Sequence, residues 1–144
     1  MGTMKSKRFL SLLVLSMGVS LAVKALPGGW IRYVPGAATA GAFLTLENPG
    51  PRMVKLIGAE SPLAERVSLH ITHMHPMGDQ TVMQMRPVEY FEIPPNGRLE
   101  LRPGGRHLML EGLKRPLEPG EKVPLLLRFS DGSTLRLELP VEMR

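Results

Sequence analysis

The sequence contains no cysteine. In a chain that opens like an exported protein, this excludes the disulfide framework that staples many small secreted domains, so a hydrophobic core has to hold the fold alone. It also excludes the lipid-bearing cysteine that would follow the apolar leader of a bacterial lipoprotein. Long apolar runs are scarce too: Phe9 to Val23 spans about 15 residues, short of the roughly 20 that a membrane-crossing helix needs. There is no internal repeat, no low-complexity segment and no amphipathic helical pattern outside the leader. No stretch interleaves Lys and Arg with aromatics, which removes nucleic acid as a partner. No Ser/His/Asp arrangement, carboxylate pair near a histidine or phosphate-binding glycine loop stands out, and an enzyme is not expected.

The 144 residues fit one domain. Lys5, Lys7 and Arg8 precede the apolar run, and Val23-Lys24-Ala25 supplies small residues at cleavage positions, so residues 1–25 read as a secretory signal and 26–144 as the mature domain. The formal charge of +5 belongs largely to that leader. Lys5, Lys7, Arg8 and Lys24 account for 4 of the 18 basic residues, leaving 14 against 13 acids in the mature part.

Beyond the leader, Gly and Pro recur every ten residues or so, and apolar and polar residues alternate between them. This period-two pattern predicts an all-β Greek-key sandwich of about seven to nine strands. Strands are expected over 30–34, 41–47, 53–59, 66–74, 81–85, 90–93, 98–101, 107–110, 122–130 and 134–141. Residues 111–115 read as a helical turn or loop. Asn48-Pro49-Gly50 and Asp131-Gly132 read as turns.

All four histidines fall in two methionine-laced stretches, HITHMHPMGDQTVMQM (70–85) and HLML (107–110). Imidazole combined with thioether is the donor chemistry of a soft, monovalent ion, which points to Cu(I). In RVSLHIT, Val67, Leu69 and Ile71 share one strand face, which leaves Ser68, His70, Thr72 and Met74 on the outer one. Folding back around 75–80, a pairing of His70 with Met85 would set Thr72 opposite Met83 and Met74 opposite Thr81. His107 and Met109 also share an outward face, while Leu108 and Leu110 point to the core. The expected ligands are therefore His70, Met85, His107 and Met109. Zn(II) has little use for thioethers, and a blue-copper electron carrier would need the missing cysteine. Arg86 and Arg106, beside expected ligands, read as solvated charges. Because neutral imidazole is the ligand, affinity should fall in mildly acidic medium.

These residues resemble those of the PCuAC family of periplasmic copper chaperones. The family's pattern is a His or Met, ten residues, Met, twenty-one residues, then H-x-M. Met85, residues 86–106 and His107-Leu108-Met109 match its second part without a gap. LTLENPG (44–50), GAESPLAERVSLH (58–70), VMQMRPV (82–88), PGGRHLMLEGLKRPL (103–117) and VPLLLRFSDG (123–132) are similar to family segments. The departure is at the first ligand: fourteen residues separate His70 from Met85, and counting ten back from Met85 reaches Met74, beside His73. Either the hairpin is longer by two residues per strand, which keeps every face because the period is two, or His73 or Met74 replaces His70. On the first reading the additional HMHPM is an accessory capture arm or a second, weaker site that adds His73, Met74, His75 or Met77 to the ligand set.

The resemblance implies a cupredoxin-like fold and a periplasmic protein, and a monomer is expected. It also implies delivery of Cu(I) to the CuA domain of cytochrome c oxidase subunit II, directly or with a Sco-type thiol protein. Two other readings stay open from the residues: a periplasmic copper-sequestering or resistance protein, and an interaction module whose His and Met are incidental.

Overall fold

The computed structural model describes residues 21–144, and most of the expected leader, 1–20, lies outside the described residues. Among the described residues there are strands and turns but no helix, hence none long and apolar enough to cross a membrane. In chain order the strands are β1 (Lys24–Ala25), β2 (Trp30–Tyr33), β3 (Thr39–Asn48), β4 (Val54–Glu60), β5 (Ala64–Met77) and β6 (Gln80–Val88). They continue as β7 (Phe91–Ile93), β8 (Gly97–Leu101), β9 (Arg106–Leu113), β10 (Lys122–Phe129) and β11 (Thr134–Glu142).

The path β5-β9-β3-β2-β11-β10-β4 closes on itself where β4 meets β5 at Ala59 and Val67. This makes a closed β-sandwich, all-β as the alternation predicts and cupredoxin-like as the resemblance implies. β2 and β11 pair in parallel, and every other pairing is antiparallel. β3 serves both layers: residues 39–43 pair with β9 and β2, and 44–48 pair with β8 and β1. Ile31, Ala42, Leu46, Leu56, Ile93, Leu108, Leu110, Val123 and Leu127 fill the interior with no exposed surface. Burying large aliphatic side chains contributes about 1.5–3 kcal/mol each relative to leaving them in water, enough to stabilise a domain without disulfides.

Two elements differ from expectation. Residues 111–113 continue β9 rather than turning, because Ala64 and Arg66 of β5 pair with Leu113 and Glu111. Lys24–Ala25 forms a strand against Glu47 and Leu46, with Val23 buried in the core and the Leu26 amide bonded to the Thr45 carbonyl. The end of the segment expected as a leader is thus packed as part of the domain.

Asn48 anchors the turn that begins with it. Its Nδ2 donates to the carbonyls of Arg52 at 2.8 Å, Ile93 at 3.1 Å and Pro94 at 3.2 Å, and its Oδ1 accepts from the Gly50 amide.

β6 is the outer strand beside β5. Beyond Ile71, which pairs with Arg106 at the start of β9, and the bond from the Thr72 amide to the Gly105 carbonyl, the β5–β6 hairpin has no third strand. Residues 73–87 are all exposed, so the hairpin stands out from the body as an arm. Pro76 and Pro87 fit there, since an edge position does not require the missing amide hydrogen.

Candidate metal centre

Period-two alternation on β5 and β9 assembles the site. Arg66, Ser68 and His70 share a face of β5 and stand opposite Glu111, Met109 and His107 of β9, respectively. The His70 and His107 rings lie 5.8 Å apart, tilted by 35°. β9 runs between β5 and β3, so the face turned away from Leu108 is not bare. His107 is covered by Phe43 from β3, ring centroids 6.1 Å apart, and is only 3% exposed. The expectation that it points outward into solvent is therefore corrected.

Met109 is half-buried opposite Gly41 of β3. A Cβ at Gly41 would sit 3.1 Å from Phe43 Cζ, so the glycine lets the phenylalanine ring lean across it. The result is a cleft of about 270 Å³ whose lining includes Arg32, Phe43, Thr72, Met85, His107 and Met109.

Met85 reaches this cleft from β6, but in a different register from the one the sequence suggests. It stands opposite Thr72, Met83 stands opposite Met74, and His70 faces Pro87. The hairpin reverses at Gly78-Asp79, with Gly78 at φ 64°, the conformation that a two-residue type II′ turn asks of its first residue. This moves the pairing by two residues, an even step, so the faces survive although the partners change. His73 and His75 lie on the other face of the arm, opposite Gln84 and Val82, their rings 6.2 Å apart. They do not join His70 and His107. Met74 lies on the His70 face, and Met77 on the face of His73.

The two imidazoles, His107 buried and His70 half-buried, are held with one nitrogen each committed. His107 Nδ1 is 3.2 Å from the Gly105 carbonyl, which can only accept, so the hydrogen sits on Nδ1 and Nε2 keeps its lone pair. Ser68 Oγ donates to Glu111 Oε1, and its own lone pair accepts from His70 Nε2 at 2.9 Å. With the Glu111 carboxylate 3.5 Å from the same nitrogen, the His70 hydrogen belongs on Nε2 and Nδ1 is free. Among the described residues, His70 Nδ1 and His107 Nε2 are the buried side-chain nitrogen or oxygen atoms that lack a hydrogen-bond partner. An unpartnered buried polar atom costs about 1–3 kcal/mol, a cost that a bound ion would offset.

Charge supports the same arrangement. The Ser68 hydroxyl, and then Arg66, hold Glu111 below the usual carboxylate range, so it stays anionic behind His70. Burial lowers the His107 pKa; the Gly105 carbonyl opposes this and nearby His70 adds to it. His107 is therefore neutral and ready to ligate near pH 7. Among the described residues no three His, Asp or Glu side chains converge as a metal cluster. The sequence reading missed Ser68, Glu111, Gly105 and Phe43. The first two were signalled by R-x-S-x-H (66–70) and H-x-M-x-E (107–111), two period-two runs that become facing rows once β5 and β9 pair.

The fold is that of PCuAC domains. The copper-bound PCuAC domain from PmoF2 aligns over 88% of this chain and 97% of its own, with TM-score 0.70 at 21% identity. Cu(I)-bound DR1885 from Deinococcus radiodurans aligns over 84% of this chain and 82% of its own, with TM-score 0.64 at 37% identity. Within this class the chain belongs to the LpqE-like family, described as "Putative lipoprotein LpqE-like", whose profile matches residues 25–141. The "Putative lipoprotein Lxx21020" of Leifsonia xyli subsp. xyli (strain CTCB07) is 40% identical over 113 residues, which make up 78% of this chain and 66% of the relative's length. Lipoproteins are exported, in keeping with an exported protein here.

Proposed function

We propose that this domain is a periplasmic Cu(I) chaperone that binds the ion through His70, Met85, His107 and Met109. The observation that carries the reading is the pair of buried, unpartnered nitrogens, His70 Nδ1 and His107 Nε2, fixed by opposing hydrogen bonds beside a cleft lined by two methionines. Two neutral imidazoles and two neutral thioethers suit a soft monovalent ion and leave Zn(II) or Mg(II) without the anionic donors they prefer. The copper-bound states of DR1885 and of the PmoF2 domain support the choice of ion.

The residues divide the work. His70 and His107 sit on the β5–β9 ladder of the closed ring and supply a preformed bidentate seat. Phe43 shuts water out on one side. Met85 stands on the exposed arm and can release the ion without unfolding anything. Such a site passes its cargo by ligand exchange: a recipient offering thiolates replaces the thioethers one at a time, so the ion never goes free. The recipient we propose is the CuA domain of cytochrome c oxidase subunit II, reached directly or with a Sco-type thiol protein. No proton abstraction, nucleophile or bond cleavage is assigned to any residue, and the protein acts as a carrier rather than an enzyme.

An anaerobic Cu(I) titration against a chromogenic chelator tests the site. One tight equivalent is expected, lost in Met85→Ala and in His107→Ala. Mixing the loaded protein with an apo CuA domain then tests delivery. Copper retained by the domain at equilibrium would favour sequestration, and binding indifferent to both substitutions would refute the site.

A further inference from the structure

The arm carries two methionines that the four-ligand site does not use, in one row with a third that it does. Met74 and Met83 face each other across β5 and β6, and Met85 follows Met83 by two residues on the same face. All three are bare, at 59%, 59% and 60% exposed, although methionine is ordinarily a filler of cores. Directly opposed side chains have Cβ atoms about 4.5–5.5 Å apart, and i, i+2 neighbours on a strand are about 7 Å apart. Three flexible thioethers at those separations can close on one ion. Alternation places Thr72, Pro76, Thr81 and Pro87 beside them and no carboxylate, while His73, His75 and Arg86 are on the far face. The row is thus neutral, and selective for a soft monovalent cation.

We propose that Met74, Met83 and Met85 form a thioether station that takes Cu(I) first, and that Met85 is the ligand shared between this station and the inner site. Met85 lines the same cleft as His107 and Met109, so a rotation of its side chain turns an outer ligand into an inner one. The ion moves inward as Met74 and Met83 are exchanged for imidazole, with no bond made or broken other than to the ion and no change of oxidation state. The station itself stands on the arm's own geometry, whereas the hand-over rests on the proposed Cu(I) site. Capture on the arm raises the effective concentration of the ion at the inner cleft, the advantage that any tethered first binding step confers.

The test uses the full chain with ¹³C-methyl methionine and Ag(I), a redox-inert stand-in for Cu(I), followed by NMR. Shifts of the Met74, Met83, Met85 and Met109 methyls are expected in the wild type. In His107→Ala the Met74, Met83 and Met85 shifts should persist while the Met109 response is lost. Met74 and Met83 methyls that stay still while Met109 moves would overturn the station and leave the inner site standing; the reverse pattern would overturn the inner site and leave the station. An arm that served only as an apolar docking patch would leave the Met74 and Met83 methyls unmoved and overturn the station. For the hand-over, Met74→Leu/Met83→Leu keeps the arm's bulk and the inner ligands. Its equilibrium Cu(I) affinity at the inner site should match the wild type, with loading from a chelator slowed by about tenfold. Loading at the wild-type rate would overturn the relay.

Discussion

Ser68 and Glu111 touch no ion in the proposed site, yet the site should weaken when either is changed. Ser68 Oγ bridges the Glu111 carboxylate to His70 Nε2, which keeps the His70 hydrogen on Nε2 and the Nδ1 lone pair available. In Ser68→Ala or Glu111→Gln the imidazole loses its acceptor or the charge behind it, and the other tautomer and other ring orientations become accessible. Supports of this kind are worth about 10–100-fold in metal affinity, or about 1.4–2.8 kcal/mol. Glu111 also pairs with Arg66, whose side chain is 72% exposed. That exposed ion pair is screened by solvent, so Arg66→Met should change affinity by less than about threefold. The assay is an anaerobic competition titration on the three variants, with ¹⁵N spectra of the apo protein to read each tautomer. Nε2–H for His70 and Nδ1–H for His107 are expected in the wild type. A Ser68→Ala protein that binds within about twofold of wild type would refute the argument, because losing the hydroxyl that orients His70 should cost at least about tenfold.

Since His73 and His75 lie on the face of the arm opposite His70, His73→Ala/His75→Ala should hold inner-site Cu(I) affinity to within about twofold in the same titration. Asn48→Ala strands the carbonyls of Arg52, Ile93 and Pro94, and should lower unfolding free energy by about 2–3 kcal/mol, read from the urea midpoint. The His107 pKa is lowered from its ordinary 6.5, so the folded apo protein binds fewer protons than the unfolded chain just below that value. Its contribution to stability is complete above pH 6.5 and is lost as pH falls toward the folded-state pKa, at up to about 1.4 kcal/mol per pH unit. Urea titrations across this range should show the slope in the wild type and lack it in His107→Leu; equal slopes would refute the assignment.

Period-two alternation made most of the strands, and the faces of His70, Met85, His107 and Met109, legible in the sequence. Partners were less legible. The register of the hairpin turned on where two residues could reverse the chain, and Gly78-Asp79 does so because glycine accepts the positive φ that Met77 would resist. The continuation of β9 through Gly112 ran against local propensity and was decided by β5, a strand more than forty residues earlier. β1 was hidden because Val23 reads equally well as the end of an apolar leader and as a core residue. The burial of His107 required knowing that β3 flanks β9, since only then does Phe43 come over the imidazole.

In the proposed site, the placement of the donors lets one set of ligands both hold an ion and let it go. The imidazoles belong to the β5–β9 ladder, where each strand is paired on both sides and His107 is closed over by Phe43, so their positions are set by the core before any ion arrives. Preorganisation of this kind reduces the entropy lost on binding and favours affinity. Met85 belongs to the two-stranded arm, where its side chain is 60% exposed while still lining the cleft. Rotating it breaks no hydrogen bond and opens no cavity, so a partner can take its place at low cost. A site made only of buried ladder residues would bind tightly and exchange slowly, and one made only of arm residues would exchange quickly and hold little. Joining the two at the root of the hairpin, with Thr72 pairing Met85 and bonded to the Gly105 carbonyl next to His107, places the labile donor within reach of the fixed ones.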